Sequence, residues 1–170
     1  MYVTRADGTS TGWEFPSYGD GLPHDMCHLV VEDGLGLSDG FWGLIDRHVD
    51  VGLVDEQATL MRDGTPLVEQ PGVDLSGLIQ AEQAVAMLAS PAAALESAGG
   101  LAVARLGSSP IDAAERGELA RQLGFRLPDG ATPDAVAAIS ERLGELAQRW
   151  RGLEDGGAIK LGFFSGGSKD

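Results

Sequence analysis

The sequence predicts an α+β fold, with a small antiparallel sheet from an N-terminal hairpin and a C-terminal strand packed against several helices. Extended, alternating segments lie at the two ends of the chain, and the stretch between them carries helix-start signals and apolar spacing of helical period. Strands set apart from helices in this way define α+β architecture, unlike the regular β-α alternation of a parallel sheet. Size agrees: 170 residues suit one core that buries roughly 70% of the surface an unfolded chain exposes. Residues 1–164 are therefore expected to form a single domain and residues 165–170 a flexible polar tail.

Each element has a local reason. Tyr2-Val3-Thr4-Arg5 alternates as a strand does, Asp7-Gly8 tolerates the positive φ of a tight turn, and residues 9–15 resume the extended pattern. Residues 16–21 read as a loop. Pro23 suits a first helical turn and Gly34 and Gly36 stop one, which predicts a helix over residues 23–33. A second helix opens near Ser38 as N-cap, with Phe41, Leu44, Ile45 and His48 on one face. Residues 51–74 fit no single pattern. Arg62-Asp63-Gly64-Thr65 is a turn there, between short extended candidates at 58–61 and 66–69. Helices follow at 75–88 and 91–95, and residues 101–106 are extended or loop. Ser109-Pro110 and Thr132-Pro133 open two more helices, reaching about Leu123 and Trp150, because proline after Ser or Thr favours the first helical position. Residues 158–164 alternate again and are expected to join the N-terminal hairpin.

Composition narrows the function classes. Twelve Lys and Arg against 26 Asp and Glu give a formal charge of −14, a potential that repels phosphate backbones and anionic lipid. Nucleic acid is therefore not expected as a partner. No run approaches the ~20 apolar residues of a membrane span, and the opening MYVTRADGTS lacks the basic-then-apolar order of a secretory signal. A cytoplasmic location with no membrane association is the expectation. Cys27 is the single cysteine, which excludes an intrachain disulfide and a thiolate metal cage. Any metal must be held by His, Asp or Glu.

Pro23-His24-Asp25-Met26-Cys27-His28-Leu29-Val30-Val31-Glu32 is the run that can carry chemistry. On a helix, His24, His28 and Glu32 fall within about 80° of arc at the border of the apolar face. Imidazoles at i and i+4 can reach one ion, so His24 and His28 are the candidate metal ligands and zinc the expected divalent ion. Asp25 stands where the zincin pattern H-E-x-x-H has its glutamate, one methylene shorter. His24 and Glu32 are about 12 Å apart along the axis, so Glu32 shares the ion only if the helix bends or its side chain reaches back, and is otherwise expected to orient His28 or act as an acid or base. Asp25 and Glu32 are thus the catalytic candidates. The third ligand stays open among Glu32, Asp25 and His48.

The plainer alternative is two histidines packed at a helix border, with Asp25 interacting with the positive helix N-terminus. Cys27 points inward and is expected to be inert. The glycine-bearing stretch from Gly34 to Gly43 lacks the lysine and the preceding strand of a phosphate loop and reads as an interhelical turn. Trp13, Trp42 and Trp150 are core candidates.

Residues 22–32, 35–43 and 150–161 carry L-P-H-D-x-x-H-x-V-V-E, L-G-L-x-x-G-F-W-G and W-x-x-L-x-x-G-G-x-I-x-L. In these motifs the chain resembles a family of uncharacterised bacterial proteins, a resemblance that implies no activity. His24-Asp25-x-x-His28 is also similar to the zinc-associated H-D-x-x-H motif of the ubiquinone-biosynthesis accessory proteins. In those proteins a glutamate follows after eleven residues; here Gly40 occupies that place and Asp39 lies one position short. The resemblance implies a zinc site at His24 and His28 but supplies no final ligand. The function expected is a small metal-dependent enzyme, hydrolase- or lyase-like, acting on a small molecule. The alternative is a non-catalytic binding or regulatory protein that offers an acidic surface to a basic partner.

Overall fold

The computed structural model describes residues 1–14, 21–55, 57–89, 128 and 131–163. The expected loop at 16–20, the helices at 91–95 and from 109 to about 123, the segment 101–106, Phe164 and the tail 165–170 lie outside the described residues. Within them the α+β architecture stands. Strands β1 (Tyr2–Thr4) and β2 (Ser10–Gly12) form a hairpin, followed by helices α1 (His24–Leu35) and α2 (Phe41–Asp46). A three-stranded antiparallel sheet comes next, β3 (Asp50–Val54), β4 (Gln57–Arg62) and β5 (Thr65–Pro66) in that order, and a single 3-10 turn spans Leu67–Glu69. Helices α3 (Ser76–Leu88) and α4 (Pro133–Arg151) complete the described elements.

Helix α1 is the centre of the molecule. Its residues from Met26 to Glu32 are all buried, which is how a helix reads when neighbours cover it on every side. Met26, Cys27, Val30 and Val31 pack on Ala84 and Val85 of α3 and on Ile139, Leu143 and Leu146 of α4. Leu29 packs instead with Trp13, Trp42 and Ile45, beneath Val3, Val51 and Leu60 of the two sheets. The helix ends where Gly36 takes a left-handed φ of 66°. There the Gly36 and Leu37 amides donate to the Asp33 and Glu32 carbonyls, the Schellman closure that glycine makes without strain. Gly34 lies inside the helix because α4 crosses it: a β-carbon there would stand 2.4 Å from Cγ1 of Ile139.

The cap signals behave as their chemistry requires. Thr132 accepts the Ala135 amide at 3.2 Å and Pro133 begins α4. Helix α3 starts one residue after the expected Leu75 and ends at the expected Leu88. Helix α2 is shorter than expected. Its N-cap is Gly40, not Ser38, and it stops before His48, whose φ is 62°. Asp63 and Gly64, both at positive φ, make the two-residue turn between β4 and β5, with Arg62 opposite Thr65.

The sheets are built from different residues than expected. The segment 51–74, which fitted no single pattern, supplies the three-stranded sheet, while residues 158–163 form no strand and pair with no part of the β1–β2 hairpin. Their alternation has another cause. Ile159, Leu161 and Phe163 are the inward residues of the segment and pack on the two cores around α1. Alternate burial requires only an extended backbone with one covered face, not a hydrogen-bonded ladder. Arg5 instead fastens the hairpin to the body: its Nε donates to the Ile45 carbonyl and its Nη2 to Asp50, both at 2.6 Å.

Candidate metal centre

His24 and His28 lie one turn apart on α1, at the point where α3 passes over it. Their Nε2 atoms face each other at 3.1 Å. Glu82 of α3 closes the group, with one carboxylate oxygen 3.3 Å from His24 Nε2 and the other 3.4 Å from His28 Nε2. An ion bonded to nitrogen and oxygen at ~2.0–2.1 Å with near-tetrahedral angles holds its ligand atoms roughly 3.3–3.4 Å apart. The Nε2 atoms are 3.1 Å apart, the contacts of 3.3 and 3.4 Å run to different oxygens of Glu82, and one ligand atom from each residue lies within 4.8 Å of the others. Among the described residues, His24, His28 and Glu82 are the group of metal-ligating side chains that converge.

The tautomer of His28 sets what can sit between these groups. His28 is 1% exposed and its Nδ1 lies 2.8 Å from Oε1 of Glu32. A carboxylate only accepts, so Nδ1 carries the hydrogen and the neutral ring turns the Nε2 lone pair towards His24 and Glu82. The His28 Nε2 lone pair then faces a carboxylate and a second imidazole, a gap that a hydrogen on His24 Nε2, an added proton or a cation can fill. In the metal-free protein a proton fills that role. Burial opposes a charge on His28, but the hydrogen bonds and negative charges of Glu32 and Glu82 outweigh it and lift its pKa from 6.5 to about 9. Burial likewise opposes ionisation of Glu82, and hydrogen bonds from His24 and His28 together with their charge reverse this, depressing its pKa from 4.5 to about 2.

Glu32 is fully buried and holds its place through three donors. Besides His28, the amides of Phe41 and Trp42 donate to it at 2.8 and 3.0 Å. It thereby caps the first turn of α2 and fixes the ring plane of His28 at once. Gly40 leaves room for this, since a β-carbon there would stand 2.5 Å from Cδ of Glu32. Glu32 therefore approaches His28 from the nitrogen away from the ligand cluster, as the helical rise requires, and is not the third ligand.

The other expected residues are placed as follows. Asp25 lines the same cleft as the histidines, and its Oδ2 accepts the indole N–H of Trp13 at 2.8 Å. It is not in the converging group. His48 is not in the converging group either: it lies beyond the end of α2, largely exposed, with Nε2 3.0 Å from the Asp7 carboxylate. The spacing argument put it on the α2 face, but the left-handed residue that ends the helix turns it away. Cys27 points inward, and burial together with the nearby Asp25 charge pushes its thiol up to about 11, consistent with inert packing. Trp13 and Trp42 are core residues whose indoles both donate to Asp25, one to the side chain and one to the carbonyl. The Gly34–Gly43 stretch joins α1 to α2.

Sequence reasoning missed Glu82. One signal could have found it: Glu82 is the single charged residue of α3, SGLIQAEQAVAML. An isolated carboxylate in an otherwise uncharged and partly buried helix needs a partner.

The centre opens on a cleft of about 550 Å³ between α1, α3 and the β3–β4 hairpin. A larger hollow of about 870 Å³ beside residues 36–40 contains none of the three residues and, among the described residues, no comparable cluster, so the smaller cleft is the candidate site. No protein-family model matches the chain, and neither does any curated protein or solved structure.

Proposed function

We propose that the protein is a small metal-dependent enzyme, hydrolase- or lyase-like, in which His24, His28 and Glu82 hold a divalent ion, zinc by ligand chemistry. The observation that carries this reading is the convergence of two imidazole Nε2 atoms and one carboxylate at 3.1–3.4 Å. Three protein ligands with a fourth position open to a cleft is the pattern of catalytic zinc sites, whereas structural sites are closed by four. His24 and Glu82 keep 39% and 43% of their side chains exposed, which leaves that position accessible. The H-D-x-x-H resemblance agrees in the two histidines, with the third ligand supplied from α3 instead of from further along the motif.

A divalent ion there supplies Lewis acidity and lowers the pKa of water towards neutrality. The chain's residues supply the rest. Glu32 fixes the tautomer and ring orientation of His28, which raises the basicity of the nitrogen facing the ion. Asp25, beside His24 in the cleft and steadied by Trp13, is the group placed to take a proton from water or substrate.

The test is the metal content of protein purified without a histidine tag, before and after incubation with zinc. About one equivalent of zinc per chain is expected, and none in a His24→Ala/His28→Ala double variant whose circular dichroism is unchanged. Protein that takes up no zinc, or a double variant that binds as well as the parent, overturns the reading.

A further inference from the structure

The cleft above the proposed metal centre has a chemical character of its own. On one side stand His24, His28 and Glu82; the facing walls are Phe41 of α2, Val51 of β3, Leu60 of β4 and Leu78 of α3. No lysine or arginine lines it among the described residues, and its carboxylates, Asp25 and Glu82, belong to a chain of net charge −14. Enzymes that bind phosphorylated or carboxylated substrates place arginine, lysine or helix N-terminal amides against the anion. Two helix N-termini border the cleft: that of α2 is already satisfied by Glu32, and that of α1, at His24 and Asp25, carries the Asp25 carboxylate in its first turn. Arg5, which is buried, does not line the cleft and is held by the Ile45 carbonyl and Asp50.

From this arrangement we infer that the site takes a neutral, predominantly apolar small molecule, bound through one metal-coordinating oxygen or sulfur while its hydrocarbon part lies along Phe41, Val51, Leu60 and Leu78. The inference rests on the metal reading of the same site and adds the substrate class. Apolar contact then provides affinity and the ion provides orientation, the usual division in small-molecule clefts of this size. The β3–β4 hairpin becomes the specificity wall.

Alkyl hydroxamic acids test this, because one head group chelates zinc while the chain length varies. On the zinc-loaded protein, octanohydroxamic acid is expected to bind about 100-fold or more tightly than acetohydroxamic acid, from partial burial of six added methylenes. It is also expected to bind more tightly than heptylphosphonic acid, which carries the same seven-carbon chain on a more highly charged anionic head. Ala58 is exposed on the cleft rim, so Ala58→Asp should fold and bind zinc normally yet lose at least about ten-fold of the chain-length preference. Equal binding of the short and long hydroxamates, or tighter binding of the phosphonate, overturns the substrate class while zinc uptake leaves the metal centre standing. Failure to take up zinc overturns both.

Discussion

Glu32 has two attachments that can be separated by mutation. As a carboxylate it accepts from His28 Nδ1 and from two main-chain amides; as an amide it would present an NH₂ to one of these donors, leaving both hydrogens without an acceptor. Glu32→Gln is therefore expected to destabilise the fold by about 1–3 kcal/mol and to weaken zinc binding by roughly 10- to 100-fold through misorientation of His28. Competition with a chromophoric chelator and a thermal melt measure the two effects. Glu82→Gln should weaken zinc binding at least as much and should also lower the melt of the metal-free protein, because it removes the charge that pairs with His24 and His28. If Glu32→Gln bound zinc like the parent protein, its proposed positioning role would be lost. At this scale the sequence exposed the half of the centre that lies on one helix. The spacing of His24, His28 and Glu32 follows from helical geometry, whereas Glu82 arrives from α3, and no periodicity within α1 can report what crosses it.

Two glycines set how closely elements approach, and they predict opposite phenotypes. Gly34 lets α4 cross α1 at Ile139, while Gly40 lets the loop before α2 close over Glu32. Gly34→Ala forces the helices apart and should destabilise by about 1–3 kcal/mol, the usual range for overpacking a core, with zinc affinity nearly unchanged. Gly40→Ala drives a methyl into the Glu32 carboxylate and should reduce zinc affinity as well as stability. Chelator competition on both variants decides the point; equal zinc affinity in the two would contradict the coupling of Gly40 to the site through Glu32. Elements with chemical end signals were legible from the sequence, as α3 and α4 show: Thr132-Pro133 fixes one start, and apolar spacing fixes the run to Leu88. The sheet was less legible. β3 and β4 are short and half-buried on both faces along much of their length, so their alternation is faint, whereas residues 158–163 alternate clearly because only one of their faces is covered. A period of two reports which side is covered, and strand pairing is settled by tertiary contacts elsewhere.

For the whole molecule, the centre links stability to pH and to metal in a way the sign of each shift determines. In the metal-free protein His28 has a pKa raised from 6.5 to about 9. Its protonated pairing thus contributes in full below pH 6.5 and is lost as pH rises through 9. Glu82, depressed from 4.5 to about 2, contributes in full above pH 4.5 and is lost as pH falls through 2. Both describe one interaction, so the metal-free protein should be most stabilised by it between pH 4.5 and 6.5 and should melt progressively lower towards pH 9. On the proposed metal reading, zinc takes the neutral His28 lone pair and displaces the proton, so its binding is expected to strengthen over the same alkaline range. At 100 times the dissociation constant a ligand adds about 2.7 kcal/mol, or roughly 5–10 °C for a chain of this length. The melting temperatures of metal-free and zinc-saturated protein should therefore diverge between pH 6.5 and 9, and His28→Gln should remove the divergence. Parallel curves would mean that no proton leaves His28 when zinc is added, a result incompatible with His28 as a ligand.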